Sequence, residues 1–445
     1  MISKFEVVKD LRTFLIVWLG QFVSLIGSAM TRFALIIWIF MQTGEALDLA
    51  LLGFFSYLAY VLMSAYAGIL VDRYDRKLIM MLADSVSGIS TIILLMLLSN
   101  GQLELWHLFI TSAISGALEA LQIPAYSAAT TLMIPKKHYS RASGLVSFAR
   151  YGAEVLSPFL AGAILGFVGI EAVLMLDIVT FLFAVITLTF VKIPTPKRKT
   201  DEEKLSRWQE LTVGARYVFA RKGLFGVMVI FVGIGFLASL TYFSILPAMI
   251  LARTGGDEIA LASVQSALGL AGVVGGIILS VWGGPKRLIH GFLLGAGLSF
   301  LIADMLFALG KNTQDWMIAA FSAAVFIPFI DGSYYALWQK KVDPALQGRV
   351  FAFRNMFTMA VRPFGFLLGG WLADNVFEPA MMPDGALAPI LGDLIGTGAG
   401  AGMSVMFMFT AIGGMIISLS GYLIPAIRNV EQDLLDFDEL DARDS

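Results

Sequence analysis

The chain has 445 residues, of which 58% are hydrophobic and only 14% charged, and its mean hydropathy is +0.80. That composition lies outside the range of water-soluble domains and reads as an integral membrane protein. A formal net charge of -2 offers no basic field to nucleic acid, and with no cysteine there is neither a disulfide nor a thiolate metal site.

Apolar runs of about twenty residues, bounded by charge or turn residues, give twelve candidate spans. They fall near 13–41, 50–72, 78–98, 105–134, 140–168, 171–191, 223–252, 259–282, 288–309, 315–339, 346–374 and 401–427. Each must be helical, because lipid supplies no partners for backbone N–H and C=O groups. No small-residue cleavage site follows the first run, so no removable signal peptide is expected. Lys and Arg fall almost wholly in one set of loops, while the opposite set holds only Arg253 and Lys311. The inside-positive bias then places both termini and the central linker in the cytoplasm, in a cell (inner or plasma) membrane crossed many times. Pro194 and Pro196 stop the sixth run, and Trp208, Leu211, Ala215 and Phe219 recur beyond them at helical spacing, as in an amphipathic segment lying at the interface.

Between the second and third runs lies Gly68-Ile-Leu-Val-Asp72-Arg73-Tyr-Asp75-Arg76-Lys77, five charges in a tight turn. It resembles motif A of the major facilitator superfamily, Gly-x-x-x-Asp-Arg-x-Gly-Arg-Lys, with Asp75 where the family has Gly. The halves also repeat. Gly144-Leu-Val-Ser-Phe-Ala-Arg150 opens the fifth run and Gly348-Arg-Val-Phe-Ala-Phe-Arg354 the eleventh, and Gly283-Gly284-Pro285-Lys286-Arg287 is a worn counterpart of the motif A turn. The fifth run also resembles motif C of the drug:proton antiporters, written here as Gly144-x8-Ala153-x3-Ser157-Pro158-x2-Ala161-Gly162. Glycines of that pattern became Ala or Ser, so the small face that lets helices approach survives. Motif B is absent from the fourth run. With the aspartates of the third and sixth runs and Gly398-Ala-Gly400-Ala-Gly402, this resembles the macrolide-efflux-like branch of those antiporters.

The resemblance implies an all-α integral membrane fold of twelve transmembrane helices in two pseudo-symmetric six-helix bundles, with a substrate site between them. The expected division is 1–193 for the N-terminal bundle, 194–222 for the linker, 223–428 for the C-terminal bundle and 429–445 for an acidic, solvated and poorly ordered tail. It further implies that Asp72 sits against the start of the eleventh helix and that Gly68, Asp72, Arg73, Arg76 and Lys77 form the cytoplasmic gate. Residues 126–135 hold no acid for Arg76 to reach.

Ionisable groups inside spans are expensive and point to function. Asp84, Asp177 and Asp304 lie near helix ends on runs that the resemblance makes peripheral, and read as helix-packing carboxylates. Glu119, Glu154 and Asp331 are deeper, as are Arg32, Arg150 and Arg362, and Arg354 is a further charge partner inside a span. Glu119 has no basic residue within two turns of its own helix, so desolvation is expected to ready it for proton exchange, with Glu154 and Asp331 as rivals. Arg150 and Glu154, four apart, share a helical face and are able to neutralise each other. Gln21, Phe22, Gln122, Tyr126, Tyr242, Phe243, Phe329, Tyr334 and Trp338 are the candidate cavity lining, or else packing.

No enzyme motif is present, and no phosphate-cradling loop for an ATP-driven pump. The reading is a secondary transporter that exports hydrophobic or amphipathic small molecules, macrolide-like drugs, in exchange for protons by alternating access. The alternative is an exporter of an endogenous siderophore or lipid-like compound. No cofactor is expected, and the partners are a small-molecule substrate, the proton and the bilayer around a monomer.

Overall fold

The structure is a computed structural model that describes residues 4–193, 207–434 and 436; the side chains of 4–10, 207–211 and a few helical positions, Asp72 among them, lie outside the description. The described residues are helical, with no strand. They divide into two compact units: 1–199 with 255–266, and 200–254 with 267–445.

The first unit contains α1 (Lys4–Thr43), α2 (Ala46–Arg73), α3 (Arg76–Ser99), α4 (Leu105–Met133), α5 (Tyr139–Phe167) and α6 (Ile170–Phe190). α1 packs on α5 and α6, α2 on α4, and α3 on α4 and α6. Glycine permits the closest of these approaches. A Cβ on Gly116 of α4 would fall on the Ser56 carbonyl of α2, and one on Gly88 of α3 would meet the Phe181 ring of α6.

The second unit begins with α7 (Arg207–Ala220), followed by α8 (Lys222–Leu240) and α9 (Leu246–Thr254) joined by a π turn, Thr241–Ile245. α10 (Glu258–Trp282) has its first turns grouped with the first unit. α11 (Leu288–Leu298) continues through a π turn, Ser299–Asp304, into α12 (Met305–Leu309). α13 (Thr313–Val325) and α14 (Ile327–Lys341) follow, then α15 (Pro344–Ala360) and α16 (Arg362–Leu372), a third π turn at Ala373–Phe377, and α17 (Glu378–Met381). α18 (Ala388–Ile395), α19 (Ala401–Leu423), α20 (Pro425–Arg428) and α21 (Val430–Asp433) complete it.

Among the described residues, eleven helical stretches are long and apolar enough to cross a membrane. α5 is not among them: at 29 residues it has the length, but Arg141, Arg150, Glu154 and its Ser and Gly residues dilute its apolar character. The expected tenth run breaks at Phe326 ahead of Pro328, and the eleventh breaks at Val361 ahead of Pro363 before running on to Met381. α18 was not expected.

α7 lies in the segment expected to be an amphipathic helix. Gly214 and Val218 face inward, and a Cβ on Gly214 would sit 2.5 Å from the Arg349 carbonyl of α15, whereas Phe219 is exposed. The Tyr217 hydroxyl donates to the Lys341 carbonyl at 2.9 Å, and burial pushes that hydroxyl above its usual range. Trp208 and Leu211 lie outside the described side chains.

Candidate functional site

In the first unit, α1, α4 and α5 bring Arg32, Glu119, Arg150 and Glu154 onto exposed positions. The charges of Arg150 and Arg32 act on Glu154, and those of Glu119 and Arg150 act on the Tyr60 hydroxyl of α2. A charged side chain at bilayer depth costs several kcal/mol against hydrocarbon, so a face carrying four of them has to meet water. The expected desolvation of Glu119 is not met: its side chain is exposed. Tyr60 was not singled out from the sequence, since a tyrosine in an apolar helix gives no signal until its neighbours are known.

The three aspartates expected to pack helices are buried. Asp177 of α6 accepts from Ser28 at 3.1 Å, Thr31 at 3.0 Å and Thr91 at 2.9 Å, tying α1, α3 and α6 together. Asp304 accepts from Thr410 of α19 at 2.6 Å and from the Tyr242 hydroxyl. Asp304 and Tyr242 both stand in π turns, which widen the helix and re-aim side chains. Asp84 of α3, 6% exposed, accepts from Gln122 at 2.6 Å and from Gln21 at 2.8 Å, and Gln122 also donates to the Gln21 carbonyl oxygen at 3.0 Å.

These hubs correct the candidate cavity lining. Gln21, Gln122 and Tyr242 are turned onto buried carboxylates, because an acid in hydrocarbon captures any donor within reach. Tyr334 and Trp338 are 1% and 0% exposed and belong to the hydrophobic core of the second unit, where Tyr334 stacks on Phe231 at 3.9 Å. Tyr126 is half-buried, with its hydroxyl enclosed. Phe329 is half-buried beside Trp282, 6.0 Å between ring centroids, and Phe22 stacks on Trp18 at 5.4 Å. Phe243 is exposed, with the Arg362 guanidinium 6.0 Å from its ring.

In the second unit Arg362 acts electrostatically on half-buried Asp331. Arg354 does not join them. It is 3% exposed, with its guanidinium 4.7 to 5.4 Å from the rings of Phe351, Tyr335, Tyr334 and Trp338, and it donates to Asn355 at 3.0 Å. Arg150, its counterpart in the repeat, is exposed beside acids; at the position four residues on, the first half has Glu154 and the second Thr358.

The charged turn is fixed locally. Asp75, the departure from the motif, caps α3 by accepting from the backbone N–H of Lys77 at 2.7 Å. Lys77 donates to the Thr189 carbonyl at 3.0 Å and the Val191 carbonyl at 2.8 Å, at the carbonyl end of α6. Gly68 and Arg73 are exposed and Arg76 is half-buried. On α5, Ala153, Ser157, Pro158 and Ala161 are buried; Ser157 donates to the Ile26 carbonyl of α1 at 3.2 Å. Gly144 has open space where a Cβ would stand, whereas one on Gly162 would lie 2.8 Å from the Ala262 Cβ.

The tail corrects another expectation. Glu431 accepts from the backbone N–H groups of Leu288 at 3.1 Å and Ile289 at 3.0 Å, capping α11. Buried Lys341 donates to the Glu431 carbonyl at 2.7 Å and pairs with Asp436 at 2.6 Å. A helix start and a buried ammonium thus recruit the first acids of a segment that composition alone reads as solvated. Residues 437–445 lie outside the description. Gly398 and Gly400, at φ +92° and +80°, make the turn into α19, whose Gly400 and Met403 N–H groups donate to Glu378 at 2.9 Å.

Compared with known proteins, residues 17–366 match the profile of the Major Facilitator Superfamily. Macrolide efflux protein A of Streptococcus pyogenes is 26% identical over 369 residues, covering 82% of this chain and 90% of that one. Macrolide efflux protein A of Enterococcus faecalis is 24% identical over 331 residues, covering 73% and 100%. A crystal structure of a bacterial homolog of the human lysosomal transporter Spinster, inward-facing and unoccupied, superposes with a TM-score of 0.66 at 17% identity, covering 96% and 99%. That likeness is one of fold.

Proposed function

This chain belongs to the Major Facilitator Superfamily and is a multi-pass membrane transporter of small molecules, and on that premise we propose that it exports macrolide-like amphiphiles in exchange for protons. The observation that carries the reading is the exposed charged face of the first unit. Glu119 and Glu154 offer carboxyls for proton exchange, and the charges of Arg150 and Arg32 act on Glu154. Asp331 with Arg362 supplies a similar pair in the second unit. Macrolide export is supported by the names of the relatives.

The reading includes alternating access, supported by the recurrence of Gly144–Arg150 at Gly348–Arg354, and the turn Gly68–Lys77 is assigned the cytoplasmic gate. Asp75 and Lys77 support that assignment by fixing the turn to α3 and α6, so that it moves as one piece with the first unit. Both termini are assigned to the cytoplasm from the placement of Lys and Arg.

The test is uptake into inverted membrane vesicles with a panel of macrolides and siderophores under an imposed pH gradient. Gradient-dependent macrolide uptake is expected. Uptake of siderophores alone would move the substrate class to an endogenous metabolite, and uptake indifferent to the gradient would end proton coupling.

A further inference from the structure

We propose that Asp84, held between Gln21 and Gln122, is a second proton-binding site of the first unit, deeper than the exposed acids; the inference rests on the proton-coupled reading above. Asp84 is 6% exposed within a membrane-spanning helix, and the partners that hold it are two neutral amides, one from α1 and one from α4. Asp177, by contrast, lies in the field of Arg32. A carboxyl used only as a helix tie needs no ionisable group, since an asparagine there would bond the same amides without the cost of a charge in hydrocarbon.

The two glutamines fit both protonation states. With Asp84 ionised, each oxygen accepts one amide N–H, as the structure has it, and Gln122 also donates to the Gln21 oxygen. When the carboxylate binds a proton, the new O–H needs an acceptor. A half-turn of the Gln122 amide presents its carbonyl oxygen for that bond and gives up the Gln122–Gln21 bond, so protonation exchanges one hydrogen bond for another. On release the proton departs, the amide turns back and the Gln122–Gln21 bond re-forms.

Access is built into α4. Glu119 lies three residues before Gln122, about 4.5 Å along the axis and on the same side of the helix, and is exposed. The other titratable groups on the helices packed against α3 are His107 and Tyr126 of α4 and Glu171 and Asp177 of α6. The Tyr126 hydroxyl, one turn beyond Gln122, is buried with no partner among the described residues. Asp177 of α6 is held at the level of Thr91, seven residues further along α3. Glu119 therefore places an exposed carboxyl within one turn of Gln122, and Gln122 bonds Asp84. Gln21 and Gln122 are positioning residues.

Infrared difference spectroscopy across a pH titration reads the protonated carboxyl band of the purified full-length chain in lipid, without substrate. Asp84→Asn is expected to delete a pH-dependent band that Asp177→Asn leaves in place, and Gln122→Leu is expected to keep that band and move its titration midpoint. An unchanged titration in Asp84→Asn overturns the proposal. An unmoved midpoint in Gln122→Leu overturns the role of the amide, and this variant also reports if Asp84→Asn does not fold. Erythromycin uptake into proteoliposomes separates this inference from the functional reading. A wild type with no gradient-driven uptake but an Asp84-dependent band sinks coupling alone. Coupled uptake in Asp84→Asn with the band intact sinks the second site alone.

Discussion

Lys341→Met keeps most of the side-chain stem and removes the ammonium that binds the C-terminal segment to the end of α14. The lysine side chain is 3% exposed, donates to the carbonyls of Glu431 and Leu434, and pairs with Asp436, which is 38% exposed. Asp436 turns to water when its partner is lost, so that pair contributes about 0–1 kcal/mol. The two charge-assisted bonds to carbonyls contribute more, at roughly 1.5–3 kcal/mol for a bond to a charged group, though both carbonyls sit in a half-buried segment that water reaches. We expect a loss of about 2–3 kcal/mol in the second unit, lowering its melting temperature by roughly 5–10 °C for a unit of that size. The Glu431 cap on α11 loosens with it. Thermal unfolding in lipid nanodiscs, followed by tryptophan fluorescence, measures the first effect. Trypsin cleavage after Arg428, which is exposed, measures the second. Unchanged melting together with unchanged cleavage would refute the docking.

Three further outcomes follow from the geometry. Asp75→Ala removes the cap of α3 and is expected to cost about 1 kcal/mol, while Asp75→Gly costs only a few tenths, as a ranked pair of melting temperatures will show. Gly116→Val forces a side chain onto the Ser56 carbonyl and is expected to separate α2 from α4 at a cost of about 3 kcal/mol or more, read as loss of monodisperse protein in gel filtration. Glu119→Gln is expected to abolish pH-gradient-driven macrolide transport in a folded protein; exchange that kept its pH dependence would transfer the role to Glu154 or Asp331.

Much of the fold was legible because a bilayer leaves few options: an apolar run of twenty residues has to be a helix, and a basic loop has to stop one. The repeat from Gly144 to Arg150 and from Gly348 to Arg354 was visible for the same reason. The three π turns were not visible, since one extra residue per turn leaves the apolar pattern almost unchanged, and Tyr242 and Asp304 were paired only by those turns. Partners across helices were also hidden. Gln21, Asp84 and Gln122 lie on three separate runs, and nothing in their spacing says that they meet. Glu119 and Asp84 were weighed by depth along a helix, yet direction around the helix decided which of them is buried. The same rotation separates exposed Arg150 from caged Arg354 despite their matching sequence context. The tail was misread because composition reports the solubility of a segment and is silent on a lysine and a helix start waiting for its acids.

The central claim is that the charged face of α1, α4 and α5 meets water from one side of the membrane and then from the other. The chain has no cysteine, so Ser115→Cys, one turn before Glu119 on α4 and exposed like it, places a single thiol on that face. The measurement is labelling by a membrane-impermeant maleimide in right-side-out and in inverted vesicles, with and without a macrolide. The account predicts labelling from both sides, with the ratio between sides shifted by the macrolide. Labelling from neither side, as for a lipid-facing surface, or from one side only whatever is added, would contradict it.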